Sequence, residues 1–111
     1  MSLRRGDLVT VAAKGPYTGK PRPALIVQAS ESLSYRDSVT ICLLTSDLIE
    51  APLFRVRIEP GPANGLARVS DVMVDKIVTV PRDLLSAEAI GHLATADIKR
   101  VDAALRFWLS L

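Results

Sequence analysis

The stretch KPRPALIVQA, residues 20–29, joins a proline-stiffened turn directly to an apolar run. ALIVQA is too short for a typical helix, is rich in aliphatic side chains and is bounded by polar loops, which indicates a β-strand. Pro21 and Pro23 each have φ fixed at about −65° and favour an extended backbone in the residue before them. We therefore expect a strand that begins near Arg22, with that residue held in place at little further entropic cost.

Other segments show the short β-branched runs or the apolar–polar alternation of strands. They are DLVTVAA (7–13), VTICLLTS (39–46), FRVRIE (54–59) and ARVSDVMVDKIVTV (67–80). Asn64 and Gly65, within the turn signal PGPANGL (60–66), suit the positive φ of a tight hairpin between the last two segments. The sequence thus predicts about five main strands.

The C-terminal end changes to a helical period. Between residues 96 and 109 the apolar positions recur every three or four residues, at Ile98, Val101, Leu105 and Trp108. This spacing predicts an amphipathic helix with Thr95 as its N-cap and Asp97 near the positive end of its dipole. Residues 86–93, SAEAIGHL, are compatible with a shorter helix or a turn. We therefore predict a mainly β fold, a small curled sheet or barrel closed by a C-terminal α-helix.

The composition is that of a globular protein. The chain has 111 residues, 49% of them apolar and 23% charged, which predicts a single domain over residues 1–111. No apolar run approaches the roughly 20 residues of a membrane helix, and the N-terminus lacks the apolar core of a secretory signal, so we expect a cytoplasmic protein. Cys42 and His92 are each the only residue of their type. We expect structural roles for both, no disulfide, no metal and no other cofactor.

The charge is unevenly distributed along the chain. Residues 1–36 hold six Lys or Arg against two acidic residues, whereas the remainder holds eight against ten, and the net charge is +2. Ten of the fourteen cations are arginine, whose planar guanidinium can pair with two oxygens of one phosphate. An anionic partner and an ordinary solvated surface both fit this pattern.

Two polar positions border the apolar strands. Arg22 could bind a phosphate or a developing negative charge as a preorganised donor, or could be an ordinary residue at a strand entry. Thr45 and Ser46 end an apolar strand, where a hydroxyl can bind a phosphate oxygen or a ribose 2′-OH. The alternative there is a turn capped by Ser46 or Asp47.

Asp75 and Lys76 lie inside the apolar run VMVDKIVTV (72–80). In a regular strand Asp75 shares a face with Met73 and Ile77, and Lys76 lies on the opposite face. One of the two charges then faces a largely apolar surface and needs a partner. A functional group, a structural ion pair and an exposed edge strand all satisfy this requirement.

Taken in order, these segments resemble a known family. The chain is similar to the MazF/PemK (Kid) toxins of type II toxin–antitoxin systems in RRGDLVTV (4–11), KPRPALIVQ (20–28), TICLLTSDL (40–48) and SDVMVDKIVTV (70–80), followed by RDLL, IGHL and IKRVDAALRFWLSL. The resemblance implies an SH3-like barrel of the MazF/CcdB type, a homodimer, and a sequence-specific, metal-independent endoribonuclease that cleaves single-stranded RNA. It also implies attack by the ribose 2′-OH, and a cognate antitoxin whose disordered acidic tail competes with RNA.

The same resemblance implies roles for individual residues. Arg22 falls on the arginine of the family's RP motif and Thr45 on the threonine that ends the third strand, which implies catalytic contacts to the scissile phosphate, with Arg22 also available as an acid. The implied RNA-binding residues are Lys14, Tyr17, Lys20, Ser46, Asp75 and Lys76.

The chain departs from the family at two places. Its first loop, KGPYTGK (14–20), lacks the glutamate or histidine that many members carry. The candidates for the general base are therefore Lys14, Tyr17 and Lys20, beside a substrate phosphate or Arg22 itself. Members of the Kid branch have an arginine two residues before the Asp75 position, where this chain has Met73.

A second function class shares the implied fold. The related CcdB proteins poison DNA gyrase through a tryptophan-containing C-terminus, and RFWLSL (106–111) is similar to that ending. The alternative is therefore a gyrase-binding toxin that is not an enzyme. KPRPALIV and LLTSDL favour the ribonuclease, and packing of the helix already accounts for Trp108.

Overall fold

A computed structural model describes residues 2–12 and 21–111. Its strands are β1 (Asp7–Val11), β2 (Arg22–Ile26), β3 (Ser38–Thr45), β4 (Arg55–Ile58), β5 (Ser70–Pro81) and β6 (Gly91–His92), and its α-helix is α1 (Thr95–Leu109). The strands form one curled antiparallel sheet in the order β4-β5-β3-β2-β1-β6. Helix α1 packs against β4 and β5. The mainly β fold with a C-terminal helix is confirmed, and each of the five predicted strands is present.

Helix α1 begins one residue earlier than predicted. Thr95 is already helical and the N-cap is Ala94, which has no side-chain capping bond. The carbonyl oxygen of Ala94 accepts the N–H groups of Asp97 and Ile98 instead. The prediction of Thr95 as the N-cap is therefore wrong. No helix in the described part of the chain is long and apolar enough to cross a membrane.

For residues 86–93 the sequence allowed a shorter helix or a turn, and the described structure has no helix there. Gly91 and His92 form β6, which pairs with β1 in the register Asp7↔His92 and Leu8↔Gly91. Asp7 Oδ1 lies 2.8 Å from His92 Nδ1. This sixth strand depends on pairing with a distant edge strand, whose open backbone groups it satisfies, and local sequence carries no signal for such pairing.

The connection from β4 to β5 is a longer loop, residues 59–69, so the predicted tight hairpin is wrong. Gly65 does have a positive φ, +71°. Asn64 organises the loop through its side chain: Oδ1 accepts the N–H of Gly61 at 3.1 Å, and Nδ2 donates to the carbonyl of Glu59 at 2.9 Å. A carboxamide that bonds the backbone on both sides can hold a loop of this length in one conformation.

Strand β5 changes its side-chain alternation where it bends. Cys42 pairs with Ile77 and Leu44 with Val72, so one residue of β3 faces four of β5. Val72 and Ile77 both reach the core on the helix side of the sheet, although a regular strand would place them on opposite faces. The prediction that Asp75 shares a face with Ile77 is therefore wrong.

Apolar clusters pack on both faces of the sheet. Leu8 belongs to the cluster under α1 and its neighbour Val9 to the cluster on the other face. Val101 is fully buried in the first cluster, as the helical period predicts. Trp108, near the end of α1, contacts Phe54 with 5.3 Å between ring centroids but remains 45% exposed.

Candidate functional site

A groove with a volume of about 550 Å³ lies where β2 begins and β3 ends. Polar side chains from three parts of the chain line it: Arg22, Thr45, Ser46, Arg68 and Ser70. Pro21 and Pro23 flank the arginine on the groove wall. The groove therefore combines cationic and hydroxyl groups, a set that suits an anion with several oxygens.

The register of the sheet explains why Arg22 and Thr45 meet. Ala24 pairs with Leu43 in the β2–β3 ladder, and continuing that register by two residues sets Arg22 opposite Thr45. Residues opposite each other on adjacent strands have their side chains on the same face. Two of the predicted site residues, distant in sequence, are therefore cross-strand neighbours.

Arg22 is exposed at the first position of β2, where it pairs with Val11 of β1. Some arginines of the described chain form salt bridges, as Arg55 does with Asp75 and Arg57 with Asp71. Arg22 and Arg68 form no salt bridge to any described residue. Both arginines therefore line the groove without an ion-pair partner among the described residues.

The Thr45 hydroxyl has a defined orientation. Thr45 Oγ1 accepts the N–H of Asp47 at 3.0 Å. A hydroxyl that uses one lone pair in this way keeps its O–H free to donate. The turn cap predicted here exists, but Thr45 provides it rather than Ser46 or Asp47. Thr45 Oγ1 can therefore accept the N–H of Asp47 and donate its own proton to a ligand at the same time.

A buried carboxylate on the neighbouring strand holds the turn that follows Thr45. Asp71, 1% exposed, is the registered partner of Thr45 on β5. Asp71 Oδ1 accepts from Arg57 Nε at 3.0 Å, and Oδ2 accepts the N–H of Ile49 at 3.2 Å. Arg57 Nη2 donates to the Ile49 carbonyl at 3.0 Å and Nη1 to Glu50 Oε1 at 2.8 Å. The bonds to Asp71 and then to Glu50 raise the pKa of Arg57. We call Asp71 and Arg57 the turn clamp.

Asp75 and Lys76 do not line the groove. Arg55 Nε lies 2.7 Å from Asp75 Oδ1 and Nη2 lies 3.0 Å from Oδ2. The hydrogen bonds from Arg55 lower the pKa of Asp75. Asp75 thus has the structural ion-pair partner that was one of its three interpretations, and Lys76 is exposed in the bend of β5. Their RNA-binding roles stay predictions, and Lys14, Tyr17 and Lys20 lie outside the described residues.

The two single-copy residues also lie away from the groove. His92 is bonded to Asp7 between β6 and β1. Cys42 is fully buried, and burial raises its pKa to about 12. Both arrangements are those expected of structural residues.

Arg68 and Ser70 are the polar groove residues that the sequence did not identify, and Arg68 is the charged one. It lies two residues before β5, just after the turn signal PGPANGL. A basic residue beside a loop that returns the chain to the sheet was the only available signal, and it does not specify which end of the sheet the loop reaches.

Comparisons with known proteins identify the family of this chain. The family model described as "PemK-like, MazF-like toxin of type II toxin-antitoxin system" matches residues 4–109. A probable endoribonuclease MazF from Mycolicibacterium smegmatis is 49% identical over 109 residues, which cover 98% of each chain.

Solved structures share the fold. The Mycobacterium tuberculosis toxin MazF-mt6 matches with a TM-score of 0.76 at 23% identity, covering 93% of this chain and 96% of its own. An endoribonuclease in complex with its cognate antitoxin, from a mycobacterial species, matches with a TM-score of 0.78 at 23% identity, covering 99% and 97%.

Proposed function

This chain belongs to the PemK-like, MazF-like toxins of type II toxin–antitoxin systems, and we propose that the groove between Arg22 and Thr45 is its site of RNA cleavage. The family resemblance drawn from the sequence is thereby confirmed. A relative 49% identical over nearly the whole chain is named a probable endoribonuclease, and this chain is likewise a MazF-like endoribonuclease. We propose single-stranded RNA as the substrate, cut at specific short sequences without a metal ion.

The observation that carries this proposal is that Arg22 and Thr45 line one groove from the adjacent strands β2 and β3. In the proposed reaction the ribose 2′-oxygen attacks the adjacent phosphorus and the bond to the 5′-oxygen breaks. The products are a 2′,3′-cyclic phosphate and a 5′-hydroxyl. Negative charge grows on the non-bridging oxygens, where the Arg22 guanidinium and the Thr45 O–H can donate to it.

Proton transfer requires further groups. The 2′-hydroxyl proton must reach a base as the new bond forms. Lys14, Tyr17 and Lys20 remain the candidates for that base. A guanidinium does not give up its proton in proteins, so we assign Arg22 to charge stabilisation rather than to the acid role that the resemblance implied. The leaving 5′-oxygen takes its proton from water or from the group that accepted the 2′-hydroxyl proton.

The remaining expectations are part of the same proposal. We propose one toxin domain over residues 1–111, a homodimer, and a cytoplasmic location. The regulator would be a cognate antitoxin with a disordered acidic tail that covers the cationic groove and excludes RNA. A structural neighbour is an endoribonuclease bound to its cognate antitoxin, which supports a partner of that class.

The test is to incubate the purified protein with mixed-sequence RNA in EDTA and to analyse the ends of the products. We expect 2′,3′-cyclic phosphate and 5′-hydroxyl ends. Arg22→Ala should remove at least about 100-fold of the activity, as for loss of a donor to a developing oxyanion. Arg36→Ala, at an exposed arginine outside the groove, is the matched control and should be as active as the wild type.

The gyrase alternative makes a different prediction in the same preparation. It requires inhibition of gyrase supercoiling and no RNA cleavage. That result, or full activity in the Arg22→Ala variant, would overturn the proposed site.

A further inference from the structure

The groove contains a second arginine whose position is independent of the first. Arg68 enters from the β4–β5 loop, whereas Arg22 enters from β2. It is exposed and forms no salt bridge to another residue of the described chain. Two arginines in one groove repel each other, and phosphates bound there would reduce that repulsion.

The loop that carries Arg68 is held by several contacts. Besides the bonds of Asn64, the Ala63 carbonyl accepts the N–H of His92 at 2.9 Å. A Cβ at Gly91 would lie 2.2 Å from the Asn64 carbonyl carbon, so the loop packs directly on β6.

The last turn of this loop is tied to β5 as well. Ser70, 5% exposed, donates its hydroxyl to the Arg68 carbonyl at 3.0 Å. The backbone of Arg68 is therefore ordered before any ligand arrives, which lowers the entropic cost of binding through its side chain.

The sheet order separates the backbone segments that carry the two arginines. Strand β3 lies between β2 and β5, so Thr45 stands between Arg22 and the segment leading from Arg68 into β5. Adjacent strands are about 4.8 Å apart, and two strand spacings are therefore about 10 Å. This is a separation of backbones, and one guanidinium fork engages one phosphate, so two arginines that enter the groove from different segments can each hold a phosphate of their own.

We propose that Arg68 forms a second phosphate subsite, which binds the RNA phosphate next to the one that Arg22 and Thr45 hold. This inference rests on the proposed function, because it takes RNA as the ligand. The subsite fixes the position of the strand along the groove. Loss of Arg68 should weaken RNA binding, with a smaller effect on the chemical step than loss of Arg22.

The experiment measures binding of a labelled single-stranded RNA whose riboses are 2′-O-methylated, so that it cannot be cut. A neutral methylphosphonate replaces each linkage in turn, and affinities are measured for the wild type, Arg68→Ala, Arg22→Ala and the control Arg36→Ala. In the wild type we expect two adjacent linkages whose neutralisation weakens binding by about 10-fold each, the size of one charge-assisted hydrogen-bonding contact. The affinity of Arg68→Ala should not change when one of these linkages is neutralised, and the affinity of Arg22→Ala should not change when the other is.

Salt dependence gives a second readout. The slope of log affinity against log salt should fall by about 0.7 in Arg68→Ala, the value for one phosphate contact on a single strand. Arg36→Ala should keep the wild-type slope.

Three results would overturn the inference. They are wild-type linkage sensitivity in Arg68→Ala, loss of sensitivity at the same linkage in both arginine variants, and no RNA binding by the wild type. Failure of the proposed function is separate: if the wild type binds the strand but never cuts its unmodified counterpart, cleavage is refuted while the binding pattern still decides the subsite.

Discussion

Replacing Asp71 with asparagine tests whether the turn clamp positions Thr45 for catalysis. The Asp71 carboxylate accepts three hydrogen bonds, two from Arg57 and one from the Ile49 N–H. Asparagine has nearly the same shape, but its carboxamide has one oxygen, and its NH₂ group must face a donor. If the oxygen keeps the bond to Arg57 Nε, the NH₂ group faces both the Ile49 N–H and Arg57 Nη2, and those two bonds are lost.

The expected loss of stability follows from the Ile49 bond. Leaving one partly buried donor unpaired costs about 2 kcal/mol. We add nothing for the lost ion pair, because the Arg57 side chain is 35% exposed and water can rehydrate it. For a domain of this size, about 2 kcal/mol lowers Tm by roughly 8 °C. A turn released next to Thr45 should also lower kcat by between about 10- and 100-fold, the range for small misplacement of a catalytic group.

The assay compares Asp71→Asn with Asp102→Asn, measuring kcat, KM and Tm well below both melting temperatures. Asp102 also pairs with an arginine, Arg5, at 2.8 Å, but lies on α1 away from the groove. We expect a fall in kcat with little change in KM for Asp71→Asn, and wild-type kinetics for Asp102→Asn. Wild-type kcat in a destabilised Asp71→Asn protein would refute the positioning role, as would an equal loss of kcat in Asp102→Asn.

Further predictions concern the Thr45 hydroxyl, the β5 ion pair and the C-terminal aromatic contact. Thr45→Val should lower kcat by about 100-fold through loss of a donor to the phosphate, while Thr45→Ser retains most activity; equal kinetics in the two variants would argue against that donor. The pKa of Asp75 lies below its ordinary value of 3.8 because Arg55 donates hydrogen bonds to the ionised carboxylate. The ion pair therefore contributes fully to folding stability above about pH 4, and this contribution is lost as pH falls through the lowered pKa. Denaturant midpoints between pH 5 and pH 2 should therefore fall more steeply for the wild type than for Asp75→Asn, and parallel curves would contradict this. Trp108→Ala should cost about 1 kcal/mol through loss of the Phe54 contact, with RNA cleavage in EDTA unchanged, whereas loss of toxicity without loss of cleavage would favour the gyrase alternative.

Local sequence predicted most of the elements because their signals are local. A β-branched run such as ICLL and a helical repeat such as that of Val101 and Leu105 report which face of an element is apolar, whatever it packs against. The same holds for Arg22, whose flanking prolines restrict its backbone before the chain folds. The errors occurred at Thr95, at the β4–β5 turn and at the face assigned to Asp75, because backbone contacts and the bend in β5 are not encoded in the local pattern. At residues 86–93 the pairing of Gly91 and His92 with β1 was likewise not encoded locally.

The sequence by itself therefore determined the strand and helix periods, the stiffened arginine at residue 22 and the family. Only the tertiary structure decided which polar groups meet, because pairing register and strand order bring together residues far apart in the chain. It joined Arg22 to Thr45 and brought Arg68 into the same groove. It also gave Asp75 an arginine partner away from that groove. The bend in β5 breaks the two-residue alternation, and a prediction of strand faces from sequence depends on that alternation.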